Sequence, residues 1–114
     1  MPVTPGFRDY VLEQFGRIVP SPRARPMFGG VSINGPEGTF ALIDNDVVYL
    51  KGDKRSRERY EAAGWAPFRP FGDGGSTMAY FEAPTELLED TDALGPWVEL
   101  ARDAAARVKR PKRG

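Results

Sequence analysis

Residues 38–51, GTFALIDNDVVYLK, decide the fold of this chain. Two short runs of apolar and β-favouring residues, 39–43 and 47–50, flank Asp44-Asn45-Asp46. Asn and Asp tolerate a left-handed backbone and bond to their own main chain, so the stretch predicts a tight β-hairpin. With Asn45 and Asp46 as the central turn residues, Leu42 falls opposite Tyr49 and Ile43 opposite Val48; a three-residue loop would change those pairs. Side chains alternate across a sheet. Ala41, Ile43, Val48 and Leu50 then share one apolar face, and Phe40, Leu42, Tyr49 and Lys51 share the other.

Toward the N-terminus, RPMFGGVSIN (residues 25–34) predicts a strand feeding this hairpin through the loop Gly35-Pro36-Glu37-Gly38. Paired glycines inside it imply a bulge or a close approach by another backbone or a large side chain. A phosphate-cradling loop is excluded, because neither glycine-rich phosphate motif is present and no helical pattern follows. Before it, Phe7, Val11, Phe15 and Ile18 form one stripe of a helix over residues 4–18, with Thr4 as N-cap and Pro5 in the first position. Pro20, Pro22 and Pro26 end that helix and extend the chain. Arg17, Arg23 and Arg25 around this turn read as surface charges.

Toward the C-terminus, Asp53 is a plausible cap for a helix over residues 54–63, stopped by Gly64. Only Ser56, Tyr60 and Ala63 can form its inner stripe, so it should lie lightly on the sheet. Residues 65–71 and 77–83 predict two more strands joined by a glycine-rich loop, the first at a sheet edge because of Pro67 and Pro70. In the second, Met78, Tyr80 and Glu82 face one way and Ala79, Phe81 and Ala83 the other. A helical turn over residues 84–89 precedes the clearest helix, whose stripe is Leu94, Trp97, Val98, Ala101, Ala105 and Val108. Pro96 belongs near its start, and Arg102, Asp103, Arg107 and Lys109 point mostly outward. The expected fold is α+β: a two-layer sandwich of five mainly antiparallel strands with helices on one face, in the order α-β-β-β-α-β-β-α. Residues 1–108 make a single domain and residues 109–114 a disordered basic tail.

Composition narrows the chemistry. The 114 residues hold neither Cys nor His, which excludes disulfides, thiolate metal sites and His-dependent triads. No cofactor or metal is expected; Glu86, Glu89, Asp90 and Asp92 do not match a calcium-loop spacing and read as helix-start carboxylates. No apolar run is long enough for a membrane, and the N-terminus lacks the layout of a signal peptide, so a cytoplasmic location is expected. Formal charge is zero, yet Arg107, Lys109, Arg110, Lys112 and Arg113 supply five of sixteen basic residues, leaving eleven against sixteen acidic ones before Arg107, a net of −5. Those five are the candidate nucleic-acid contact. A candidate polar patch combines Arg25, Tyr49, Lys51, Tyr80 and Glu82 on one sheet face, where a lysine of lowered pKa could serve as nucleophile or base.

RPMFGG at 25–30, FALI at 40–43, YLK at 49–51, Pro67-Phe68, MAYFEAP at 78–84 and Leu94-x-x-Trp97 occur in that order. Together they resemble the N-terminal domain of the TfoX (Sxy) family, associated with regulation of bacterial competence, over nearly the whole chain. The resemblance implies an α+β fold with the element order above, a regulatory role through a protein partner or as a homodimer, and no catalytic residues. Two positions depart from it: Val31-Ser32-Ile33 replaces a more aromatic strand, and Gly52 stands where an apolar residue is common. The helical C-terminal domain of the full-length regulators is also expected to be missing, giving a stand-alone N-terminal domain.

Overall fold

A computed structural model describes residues 3–27, 30–68 and 78–109. Its elements run α1 (Pro5–Gly16), β1 (Arg23–Met27), β2 (Gly30–Gly35), β3 (Gly38–Asp44), β4 (Val47–Lys51), α2 (Arg57–Ala62), β5 (Pro67–Phe68), β6 (Met78–Glu82), a 3-10 turn (Thr85–Glu89) and α3 (Thr91–Lys109). The six strands form one antiparallel sheet in the order β1-β2-β3-β4-β6-β5. The fold is α+β, as expected, with one strand more than expected.

The extra strand lies N-terminal to the central hairpin, where β1 and β2 stand in place of one expected strand. Residues 25–34 are not one strand: β1 and β2 pair antiparallel, with Met27 opposite Gly30. Gly30 satisfies the close-approach reading, since a Cβ there would collide with the main-chain oxygen of Ile43. Both outer strands carry a proline, Pro26 in β1 and Pro67 in β5, so each edge lacks an N–H that a further strand would use.

The central hairpin adopts the predicted register, with Ala41 opposite Leu50, Leu42 opposite Tyr49 and Ile43 opposite Val48. Asn45 and Asp46 take φ of 53° and 56°, the pair of left-handed residues that a two-residue hairpin turn requires. Asp46 also holds α1 in place: its carboxylate accepts the Thr4 N–H at 2.9 Å and the Thr4 hydroxyl at 3.0 Å. Thr4 stands at the N-cap but spends its hydroxyl on this tie rather than on its own helix.

One face assignment is corrected. The pairing of β2 with β3 slips between Ile33 and Asn34, so that Phe40 is an extra residue between Ala41 and Thr39. A bulge puts two successive side chains on one side. Phe40 therefore joins Ala41 in the helix-side core, where its ring lies 5.3 Å from that of Phe15.

Among the described residues, helices cover one face only. Val11 and Phe15 of α1, Tyr60 of α2 and Leu94, Val98, Ala101 and Ala105 of α3 pack with Ile33, Ala41, Ile43, Val48, Leu50 and Phe81. Val108 falls outside the expected stripe at 68% exposed. Ala63 is exposed as well, leaving Tyr60 as the one large inward residue of α2. Tyr60 stacks at 4.7 Å on Phe81 and lies 5.0 and 5.6 Å from Trp65 and Trp97, and its hydroxyl donates to the Lys51 main-chain oxygen at 2.8 Å. Gly52 sits under this stack; an added Cβ would meet Phe81 at 2.7 Å and Tyr60 at 3.1 Å. An apolar side chain has no room there. Pro96 lies inside α3 and is exposed, so water can reach the carbonyl that its missing N–H leaves free.

Candidate functional site

The helix-free face of the sheet gathers most of the candidate polar patch. On β4 and β6, Lys51 pairs with Tyr80 and Tyr49 with Glu82, so the alternation of β4 brings all four to one side. Lys51 Nζ donates to Tyr80 Oη at 3.4 Å and lies 4.9 Å from the ring centroid, a cation–π contact as well as a long hydrogen bond. Tyr49 packs against Phe68 at 4.6 Å, and Leu42, Phe68 and Tyr80 are buried together with Met27 and Tyr49 partly buried around them. Glu82 is exposed. Arg25 does not join the group: it lies on β1, three strands from β4, about 14 Å away at ordinary strand spacing.

Electrostatics follow burial. Removal from water pushes the Lys51 ammonium below the usual lysine range, with Asp53 pulling the other way. Burial raises the Tyr80 phenol, and it raises Tyr49 too, with Glu82 and Asp44 adding to the effect. Lys51 is thus a positive charge held against an aromatic floor. Such a group can anchor an incoming carboxylate or phosphate, or pack its stem against an apolar partner.

The candidate nucleic-acid contact is divided. Arg107 is not free: its guanidinium donates to both Asp53 oxygens, at 2.5 and 3.0 Å. That fork holds the Asp53 carboxyl down at about 2, despite partial burial, and Ser56 assists from its N–H and hydroxyl. Lys109 ends α3, and Arg110, Lys112 and Arg113 lie outside the described residues, as do Phe28 and residues 69–77, including the expected glycine-rich loop.

Arg102 makes a second fork, to Glu37 at 2.7 and 3.0 Å, with Glu99 at 3.1 Å. Arg102 and Arg107 were both expected to point outward; instead they fasten α3 to the β2–β3 turn and to the chain leaving β4. Neither partner is visible in a local pattern, since the pairs span 65 and 54 residues. The one sequence signal is a lone acid within each turn, Glu37 and Asp53. The fork to Arg102 lowers the Glu37 carboxyl.

The acidic run before α3 behaves as a helix start: Asp90 accepts the Ala93 N–H at 3.2 Å. Among the described residues, no group of three acidic or metal-binding side chains converges as a metal site. Nor is any described helix long and apolar enough to cross a membrane.

An open six-stranded antiparallel sheet with helices on one face, and a polar aromatic patch on the other, places the molecule among two-layer α+β domains. More narrowly, the chain belongs to the TfoX N-terminal domain family, whose model matches residues 12–105. Comparison with curated proteins returned no match.

Proposed function

We propose that this domain is a non-enzymatic module of bacterial regulation, working in the cytoplasm by contact with a protein partner through the helix-free face of its sheet. The observation that carries this reading is the second apolar cluster, Leu42, Phe68 and Tyr80, on the face no described helix covers. Tyr49 is part-exposed beside it, with Lys51 and Glu82 of opposite charge at its margin. An aromatic centre with a charged rim is the make-up of a protein interface. The partner is a protein surface that offers an acidic group to Lys51 and a basic one to Glu82.

The pairing of the other polar groups supports a binding role over a catalytic one. Asp53, Glu37, Arg102 and Arg107 are consumed in ties between elements, and the chain holds no His or Cys. The family's association with competence supports a setting in regulation. A second reading, nucleic-acid binding by the basic tail, is left with Lys109, Arg110, Lys112 and Arg113, because Arg107 already serves Asp53.

Affinity capture from the host lysate with wild type, Tyr49→Ala and Glu82→Lys tests the assignment. A protein held by wild type, lost with both face variants and retained by Arg17→Glu is the expected result. An identical set of captured proteins for all four would refute it.

A further inference from the structure

A groove of about 420 Å³ opens where Pro20 and Ser21 enter β1, walled by Arg23, Arg25, Asn34 and the glycines of the β2–β3 turn. Its volume lies within the roughly 300–1,000 Å³ of small-molecule sites. Arg23 and Arg25 stand two residues apart on β1, so both project to the same side, about 7 Å from each other along the strand. Both are exposed. Neither guanidinium has a carboxylate partner among the described residues, in contrast to Arg102 and Arg107.

The surroundings keep that charge uncompensated. Glu37, the one acid in the adjoining turn, is absent from the groove wall and is forked by Arg102. Asn34 is fixed from two directions: its amide donates to Ser32 Oγ at 3.2 Å and its oxygen accepts from Thr39 at 2.5 Å. Ser21, between two prolines, is held at φ 47°, a conformation that non-glycine residues adopt only where the fold imposes it. Two free guanidinium forks over a rigid polar wall suit an anion with more acceptor oxygens than one carboxylate carries.

We propose that this groove binds a small phosphorylated molecule, its phosphate gripped between Arg23 and Arg25. The site is separate from the Tyr49–Lys51 patch, three strands away, and does not depend on the partner surface proposed above.

Amide spectra of the full chain, titrated with inorganic phosphate and with adenosine 5′-monophosphate, test it. Adenosine and sodium chloride at matched ionic strength serve as controls. Saturable shifts at Ser21, Arg23, Arg25, Asn34 and Gly35 are expected with both phosphates and with neither control. Arg23→Gln and Arg25→Gln should each weaken binding about tenfold, the loss of one charged hydrogen-bonding group. Arg23→Lys keeps the charge without the fork and should fall between. The rest of each spectrum reports whether the variant is folded. Shifts that mapped elsewhere, matched the chloride control, or survived the double glutamine variant would overturn the assignment.

Discussion

Replacing Gly52 by alanine adds one methyl group at a place with no room for it. The new Cβ would sit 2.7 and 3.0 Å from two atoms of the Phe81 ring and 3.1 Å from Tyr60. Neither ring is the loose end of a flexible side chain. Phe81 is 4% exposed and Tyr60 fully buried, they stack at 4.7 Å and 13°, and the Tyr60 hydroxyl is tied to the Lys51 oxygen. Relief must come from shifting the stack, and with it Trp65 and Trp97. Overpacking of this kind costs about 1–3 kcal/mol, against about 0.5–1 kcal/mol recovered by removing a glycine from the unfolded chain. Taken at the middle of both ranges, the net expectation is a loss of about 1 kcal/mol, or a fall in Tm of roughly 4–8 °C. Trp65 and Trp97, with ring centroids 4.5 Å apart, report the transition directly through their emission during urea or thermal unfolding. Gly6→Ala provides the contrast: apart from its chain neighbours nothing lies within 4 Å of the added atom, and the position is inside α1. It should gain about 0.5–1 kcal/mol. A Gly52→Ala protein as stable as wild type would refute the packing argument.

The Asp53–Arg107 fork predicts an acid-side signature. Because the folded carboxyl titrates at about 2 rather than 3.8, its stabilisation is present above the unfolded value and lost as pH falls from about 4 to 2. Asp53→Asn should remove about 1–2 kcal/mol at neutral pH and flatten the urea midpoint across that window; a parallel pH profile would count against the fork. Tyr60→Phe leaves the Lys51 oxygen without its donor and should cost about 1–2 kcal/mol in urea unfolding while preserving the ring stack; no measurable loss would show the hydrogen bond to be idle. Deleting residues 109–114 should leave both the melting curve and retention on double-stranded DNA unchanged; loss of salt-sensitive retention would restore the nucleic-acid reading.

Much of the fold was legible because local rules and tertiary packing agree along it. The Asn45-Asp46 turn left only one arrangement of apolar faces, and the register followed. Phe40 was misplaced because a bulge depends on how β2 meets β3, which alternation within β3 cannot reveal. Gly30 was read as an interruption within one strand because a bulge and a close approach both call for glycine, whereas it is the first residue of β2. Of the polar patch, Tyr49, Lys51, Tyr80 and Glu82 came together because β4 and β6 are adjacent, an arrangement set by where β5 goes. The two arginine forks were out of reach: no periodicity connects Arg102 to Glu37, and a basic helix end looks the same whether it is free or paired. Arg23 and Arg25 were visible as charges, but the groove they line was not.

The prolines at the two ends of the sheet have a further consequence. Pro26 in β1 and Pro67 in β5 stand on the outermost strands, where a sheet would otherwise recruit another chain's backbone. A crowded solution of this protein is thereby protected against edgewise polymerisation, and the exposed Arg23 and Arg25 add charge to the β1 edge. Under the reading proposed above, association falls to side-chain recognition, which can be reversed and made selective.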